Sequence, residues 1–427
     1  MLHVENETVR ALLFEGNFGL EKESLRVTPQ GHMAHTPNPF PGNERIVRDF
    51  CENQTEINTE VTHSAQEAVD SLLRYTKQIH RTLAGLPQRE LLWPFSNPSF
   101  IHNEADIPVA RFEGGLSGKT DYREYLSDRY GRYKMTLSGI HVNYSFAEEL
   151  LRADFALSGE SDFQEYKNQL YVVLAERAAA YGWIMTAVTA ASPLMDSSFV
   201  EKGRYGVDEF SGMASVRCSE LGYWNYFAPV FDYTDIRAYA DSIQRYVDEG
   251  WLAAPTELYY PIRLKPRGRN SLARLRSEGV DHIELRMVDL NPLESAGINV
   301  KDLQFAQLLL VWLAATPRQA FAHRDQVQAV QNFKNAAHYD LKTVKIVAPS
   351  GEVYSVADAG RKVIGFMREF YHGFPQEVFD ILDFEEEKFI DPDKRYAWQI
   401  RKQFADGFVR NGLELAQALQ KEALQDV

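Results

Sequence analysis

Gly139 to Phe146 reads GIHVNYSF, with His141, Asn143 and Ser145 alternating with Ile140, Val142, Tyr144 and Phe146. Period two marks a strand with one wet and one apolar face. Three other segments share it. In Gly19 to Val27, Glu21 and Glu23 fall on one side. In Asp49 to Glu60, Glu56, Asn58 and Glu60 alternate with Ile57 and Thr59. In Asp281 to Val288, His282, Glu284 and Arg286 alternate with Ile283, Leu285 and Met287. Strands so far apart in sequence, with helices between some of them, predict an α+β fold on an antiparallel or mixed sheet.

The helices announce themselves by caps and spacing. Ser64 with Glu67 forms a capping-box signature ahead of Val69, Leu72, Leu73 and Leu83. Ser161 with Gln164 opens a long apolar helix predicted to reach about Ala190. Asp302 to Thr316 reads as a strongly apolar helix, and Asp391–Pro392 as the N-cap and first turn of a helical tail. No internal repeat, low-complexity tract or Gly/Ser linker divides the chain. The expectation is a single catalytic domain over residues 1–427, mainly helical from about residue 317.

Composition narrows the function. The 427 residues carry 46 Lys and Arg against 60 Asp and Glu, a net charge of −14. With 44% hydrophobic residues the chain can bury a core, so disorder is excluded as the main state. So acidic a surface repels phosphate backbones, and no nucleic-acid partner is expected. The two cysteines, Cys51 and Cys218, lack a CxxC arrangement and fit a reducing, cytoplasmic setting. Met1 to Glu15 lacks the basic-then-apolar order of a signal peptide. Leu308 to Ala315 is about half the length needed to span a bilayer, so no membrane partner is expected.

The polar strand faces offer carboxylates, one His and one Arg, with little Lys. Residues two apart on a strand are roughly 6.5–7 Å apart, and two carboxylates there repel by about 2 kcal/mol at an effective dielectric of about 20. Two readings stay open: each strand shows its wet side to bulk water, or the carboxylates converge around cations. Oxygen ligands with an occasional imidazole suit Mg²⁺, or Mn²⁺. If Glu21, Glu23, Asp49, Glu56 and Glu284 converge, they bring about −5. A nucleoside triphosphate adds about −4, and two to four divalent ions would balance the sum, as in a metal-bridged phosphoryl-transfer site. Arg286 would then bind a phosphate oxygen.

Some patterns carry no such weight. Glu113 to Thr120, EGGLSGKT, has Glu where a phosphate loop needs its first Gly, and reads as an ordinary Gly-rich loop. His32 and His35 lie in a Pro- and Asn-rich stretch that reads as surface. Neither GxSxG nor GxGxxG occurs.

Eight segments in order carry a family resemblance: GLEKESLRV (Gly19–Val27), DFCENQTEINT (Asp49–Thr59), LWPFSNPSF (Leu92–Phe100), YREYLSDRYG (Tyr122–Gly131), TLSGIHVNYSF (Thr136–Phe146), VRCSELGYWN (Val216–Asn225), ELYYPIRLK (Glu257–Lys265) and HIELRMVDLNP (His282–Pro292). Together they resemble glutamate–cysteine ligase, over about Phe14 to Thr316, roughly 70% of the chain. The resemblance implies a curved antiparallel sheet forming a funnel, packed with helices, with a glutamine synthetase-like core. It implies ATP-driven joining of the γ-carboxylate of L-glutamate to the amine of L-cysteine through γ-glutamyl phosphate. It implies Mg²⁺ ligation by Glu21, Glu23, Asp49, Glu56, His141 and Glu284, and a γ-phosphate contact from Arg286, which with Glu284 forms the catalytic pair. Arg263 and Lys265 are further ATP-phosphate candidates. Tyr122, Arg123, Arg217 and Tyr223 would recognise the amino acids, an Arg clamping an α-carboxylate and the tyrosines lining the thiol pocket. No motif marks an adenine pocket, and no residue after Thr316 is carried over. The fused two-step members add an ATP-grasp module for glycine; none is read here, so the expected product is γ-glutamylcysteine, made by a monomer. The alternatives are a related glutamate–amine ligase with another acceptor and a catalytically silent binding protein.

Overall fold

The computed structural model describes residues 1–319 and 321–425. Its central element is the long strand β1 (Gly16–Val27). The other strands of the main sheet are β2 (Ile46–Arg48), β3 (Gln54–Asn58), β4 (Leu91–Leu92), β5 (Gly139–Phe146), and, after the short pair β6 (Met195–Asp196) and β7 (Asp208–Glu209), β8 (Ile262–Lys265) and β9 (His282–Asp289). The order is β2-β3-β1-β5-β9-β8, with β4 on the end of β1, and the pairings are antiparallel. The α+β expectation holds, in its antiparallel form.

Alternation sorts the side chains. Phe18, Leu20, Ile57, Ile140, Val142, Tyr144, Ile262, Leu264, Ile283 and Leu285 enter one core. The helices Ala65–Ala84, Phe163–Tyr181 and Val300–Ala315 supply Leu72, Ile79, Leu174, Leu309 and Leu313 to it. Each such fully buried aliphatic side chain contributes about 1.5–3 kcal/mol. The opposite face is left for polar residues. A second core gathers around the end of β1, where Leu25 and Val27 meet Trp93, Phe95, Phe404 and Phe408. Edge-on ring contacts at 5.0–5.6 Å tie the C-terminal helices Tyr396–Phe404 and Phe408–Gln425 to that end of the sheet.

Three sequence expectations shift. Asp49–Glu60 is not one strand: β2 ends at Arg48, the chain turns, and β3 starts at Gln54, so Asp49 stands across the turn, its amide donating to Gln54 O at 3.2 Å. The helix expected from Ser161 is capped instead by Asp162, whose Oδ1 accepts from the amides of Gln164 (2.8 Å) and Glu165 (3.1 Å). It ends at Tyr181 and restarts as Trp183–Thr189. Gly182 allows that break: a Cβ there would meet Ala178 O at 2.5 Å. Asp391–Pro392 caps only a 3-10 turn before the helix Tyr396–Phe404. The Ser64 cap holds, with Ser64 Oγ accepting from Glu67 N at 3.2 Å.

Beyond residue 317 the described chain is mainly helical, with helices His323–Ala336, Val356–Phe370 and Gln376–Ile390 before the last two, and one hairpin, β10 (Lys345–Val347) with β11 (Val353–Ser355). Among the described residues, no helix is long and apolar enough to cross a membrane. A buried ion cluster joins this part to the main sheet's helices. Lys388 pairs with Asp302 (2.7 Å) and Glu385 (2.8 Å) and donates to Val188 O (3.1 Å), while Tyr396 donates to Asp302 (3.1 Å). Replacing Lys388 by Met is expected to strand two buried carboxylates and lower the unfolding free energy by about 3–5 kcal/mol. Denaturant unfolding followed by circular dichroism measures it; an unchanged midpoint would contradict the role.

Candidate active site

Strand register builds the site. Glu21 of β1 lies opposite His141 of β5 and opposite Asn58 of β3, and Glu23 opposite Glu56. Asn143 of β5 faces Glu284 of β9, which faces Arg263 of β8. Directly opposed side chains share a face, so residues from five strands meet on the side away from the main core. Between Ile140 and Val142 the β5–β9 register shifts, giving β9 an extra residue. Arg286 and Glu284, two apart in β9, both lie on the polar face, Arg286 Nη1 donating to Glu284 Oε1.

The centre is His141. Its Nδ1 lies 3.0 Å from Glu21 Oε2, 3.8 Å from Glu284 Oε1 and 3.3 Å from Arg286 Nη1. Its Nε2 lies 3.3 Å from Arg217 Nη2 and 3.9 Å from Glu23 Oε1. Asn143 Nδ2 donates to Glu21 at 3.1 Å. Glu284 is fully buried, and its Oε1 takes Arg286 at 2.9 Å and Lys265 at 3.2 Å.

The electrostatics follow. Burial pushes the Glu284 carboxyl up, but Arg286, Lys265 and Arg263 overcome it and hold the group well below the usual carboxylate range. Burial also opposes ionisation of Glu21, yet the His141 hydrogen bond brings it down to about 2. Burial and the neighbouring Arg286 press His141 down to about 4, so the imidazole is neutral and keeps a lone pair. Burial and the charge of Asp49 push Glu23 up to about 8; burial, Asp49, Glu21 and Glu23 push Glu56 well above its ordinary value.

These residues can hold a divalent cation. Ligand atoms of Glu21, His141 and Glu284 all lie within 4.8 Å of one another. Glu284 Oε2 is buried without a hydrogen-bond partner, a costly state for a charged oxygen that a cation would relieve. Two ionised carboxylates and a neutral imidazole suit Mg²⁺ or Mn²⁺. Glu23, Asp49 and Glu56 stand outside that trio, and their mutual repulsion marks a second acidic group beside it.

The other expected residues divide. Arg217 lies on Gly139: a Cβ there would approach the guanidinium carbon to 2.3 Å, so the Gly of GIHVNYSF makes room for the arginine. Arg217 Nη1 donates to Arg286 O at 2.8 Å. Tyr223 stands edge-on to Tyr259, centroids 4.8 Å apart, and Tyr259 also neighbours Tyr122. Arg123 donates to Asp49 O at 2.6 Å and to Lys119 O at 3.1 Å, which ties it to the rim beside the second acidic group. Arg263 is on the polar face, and its Nη2 donates to the carbonyls of Leu258 and Thr256. Lys265 remains open to a cleft of about 550 Å³ that also carries Glu21, Asn58, Asn143, Arg267 and Asn270. Tyr259 was not singled out by the sequence; it precedes β8, where no periodicity marks it.

A family model described as glutamate-cysteine ligase matches residues 1–336. The chain belongs to the glutamate–cysteine ligase family. The match reaches 20 residues past the segment that the motifs cover. The glutathione biosynthesis bifunctional protein GshAB of Listeria welshimeri is 34% identical over 98% of this chain and 56% of its own length. The crystal structure of a bifunctional glutathione synthetase from Pasteurella multocida aligns with TM-score 0.84 and 27% identity, over 99% of this chain and 55% of that one. The glutamate–cysteine ligase of Francisella tularensis in complex with AMP aligns with TM-score 0.86 at 22% identity, over 96% and 89%, and speaks for the fold alone. The chain thus spans about half the length of the bifunctional relatives it matches.

Replacing Glu284 by Gln is expected to weaken Mn²⁺ binding at least about tenfold, a hydrogen-bonded charge having been lost, without loss of secondary structure. Replacing the surface residue Glu278 by Gln leaves Mn²⁺ binding unchanged. Electron paramagnetic resonance titration reads the difference; equal Mn²⁺ affinity in the Glu284 variant and the wild type would remove Glu284 from the donor set.

Proposed function

We propose that this chain ligates the γ-carboxylate of L-glutamate to the amine of L-cysteine at the expense of ATP, giving γ-glutamylcysteine, ADP and phosphate. The observation that carries the reading is the meeting of Glu21, His141 and Glu284 beside Arg286, at the head of a large cleft that Lys265 and Arg267 also line, in a member of this family. In this reading Glu21, His141 and Glu284 hold one Mg²⁺, and Glu23, Asp49 and Glu56 a second. When bound, the ions neutralise the polyphosphate and the carboxylates around it.

The chain's own groups do the rest. Arg286, fixed against Glu284, faces the transferred γ-phosphate and balances charge that spreads over its oxygens. Lys265 and Arg267 on the cleft wall take the remaining phosphates. A γ-carboxylate oxygen of glutamate attacks the γ-phosphorus, and ADP leaves with the bridging electron pair. The acceptor amine then attacks the acyl carbon, the bond to phosphate breaks, and the amine gives up a proton. Arg217 grips a carboxylate and is itself held by the Arg286 carbonyl, so the amino acid and the phosphate are positioned by one linked pair. Tyr122, Tyr223 and Tyr259 form the aromatic wall that suits a thiol side chain. Cysteine is separated from close analogues by about 1–3 kcal/mol in such a pocket. The two buried free thiols support a reducing, cytoplasmic location.

With ATP, Mg²⁺ and glutamate alone, slow ADP release is expected; adding cysteine accelerates it and yields γ-glutamylcysteine by mass spectrometry. Acceleration by another amine but not by cysteine would overturn the acceptor. Replacing Arg217 by Lys is expected to raise amino-acid KM values about tenfold, a bidentate contact having been lost, with ATP KM changed less than twofold. Steady-state kinetics decide it, and an equal loss for both would contradict the clamp.

A further inference from the structure

The helix Gly118–Tyr130 carries Tyr122 and Arg123, yet it buries only Leu126 and Tyr130. So narrow an apolar contact gives little hold on the angle at which the helix sits. Its polar contacts supply the hold, and they converge on Glu257, whose carboxylate is fully buried. Oε1 accepts from the Tyr130 hydroxyl at 2.7 Å and pairs with Arg129 Nε at 2.9 Å. Oε2 accepts from the Tyr125 hydroxyl at 3.2 Å and from the Ala253 amide at 2.6 Å. Tyr122 stacks on Tyr125, ring centroids 6.3 Å apart.

The same residue ties down the two other segments that bring rings to the amino-acid pocket. Its backbone carbonyl accepts from Asn225 Nδ2 at 2.9 Å, and that Nδ2 also reaches the Tyr130 hydroxyl oxygen at 3.2 Å. Asn225 Oδ1 accepts from the Tyr259 amide at 2.8 Å. Asn225 follows Tyr223 by two residues, and Tyr259 follows Glu257 by two. The carriers of Tyr122, Tyr223 and Tyr259, distant in sequence, thus meet at one buried carboxylate. A buried charge is costly unless it is paired and hydrogen-bonded. Here one cation, two hydroxyls and an amide occupy both oxygens, so Glu257 acts through its neighbours and not on a substrate.

We propose that Glu257 is the positioning residue of the acceptor pocket: it sets the spacing of Tyr122, Tyr223 and Tyr259, and through that spacing the fit of the acceptor's side chain. The inference rests on the proposed ligase reading, in which these rings form the wall beside the thiol. The metal trio does not depend on it, because Glu21, His141 and Glu284 are placed by strand register.

The test uses the full chain with Mg²⁺, ATP and glutamate, read with the amine that drives wild-type ADP release. Glu257→Gln keeps the volume and removes the charge. The expected result is a rise of about tenfold in acceptor KM, charge-assisted contacts having been lost, with ATP KM and Mn²⁺ affinity within about twofold. With cysteine as the amine, the preference for it over 2-aminobutyrate falls at least about threefold. Tyr130→Phe deletes one donor, keeps the ring, and produces the same change in smaller measure; in the double variant the rise falls short of the product of the two. Tyr130→Phe alone carries the test if the glutamine variant melts early. A rise in ATP KM as large as that for the acceptor overturns the proposal, as does every KM unchanged. Hydrogen exchange separates the proposal from the ligase reading. Faster exchange of the amides of 118–130 and 216–225 in Glu257→Gln, with β5 unchanged, supports the positioning role even in a protein without turnover; equal exchange in variant and wild type overturns it.

Discussion

The site depends on a crowd of carboxylates, two of them, Glu23 and Glu284, out of reach of water's screening. Glu21, Glu23 and Glu284 lie around one imidazole, with Glu56 and Asp49 alongside, on a sheet whose other face is apolar. The protein meets the crowding in two ways. On the β8–β9 side it supplies Lys265 and Arg286, which keep the buried Glu284 ionised. On the β1–β3 side it supplies too little positive charge, and Glu23 and Glu56 are driven toward their neutral forms. So under-compensated an acidic group is suited to cations.

The rest of the fold serves to hold this face. Antiparallel register brings residues from β1, β3, β5 and β9 within reach without any of them being near in sequence. Alternation puts Arg286 on the face of Glu284, and Gly139 clears the space in which Arg217 reaches both His141 and the Arg286 carbonyl. Behind the sheet, the Asp302–Lys388 cluster and the edge-on Trp93–Phe408 contact fasten the C-terminal helices to it.

Much of this was legible because strands write their faces in alternation. GIHVNYSF is a strand from its first residue to its last, and Glu21, His141 and Glu284 lie where period two puts them. Asp49 was misplaced because a turn inside DFCENQTEINT carries no Gly or Pro to announce it. Asp162 displaced Ser161 as the cap because neighbouring residues of equal capping strength look alike in sequence. The two backbone contacts of Arg263 could not be read beforehand, because carbonyl acceptors leave no trace in a sequence. Tyr259 passed unnoticed for a related reason: it sits before a strand, and only the folded chain shows that it borders the arginines.

The central claim is that the trio Glu21, His141 and Glu284 is a divalent-cation site that makes the carboxylate crowd stable. Anomalous diffraction from crystals soaked in Mn²⁺ tests it most directly. A strong peak bounded by Glu21, His141 and Glu284 is the result the account predicts. Mn²⁺ found only at surface carboxylates such as Glu278, with nothing between those three, would contradict it.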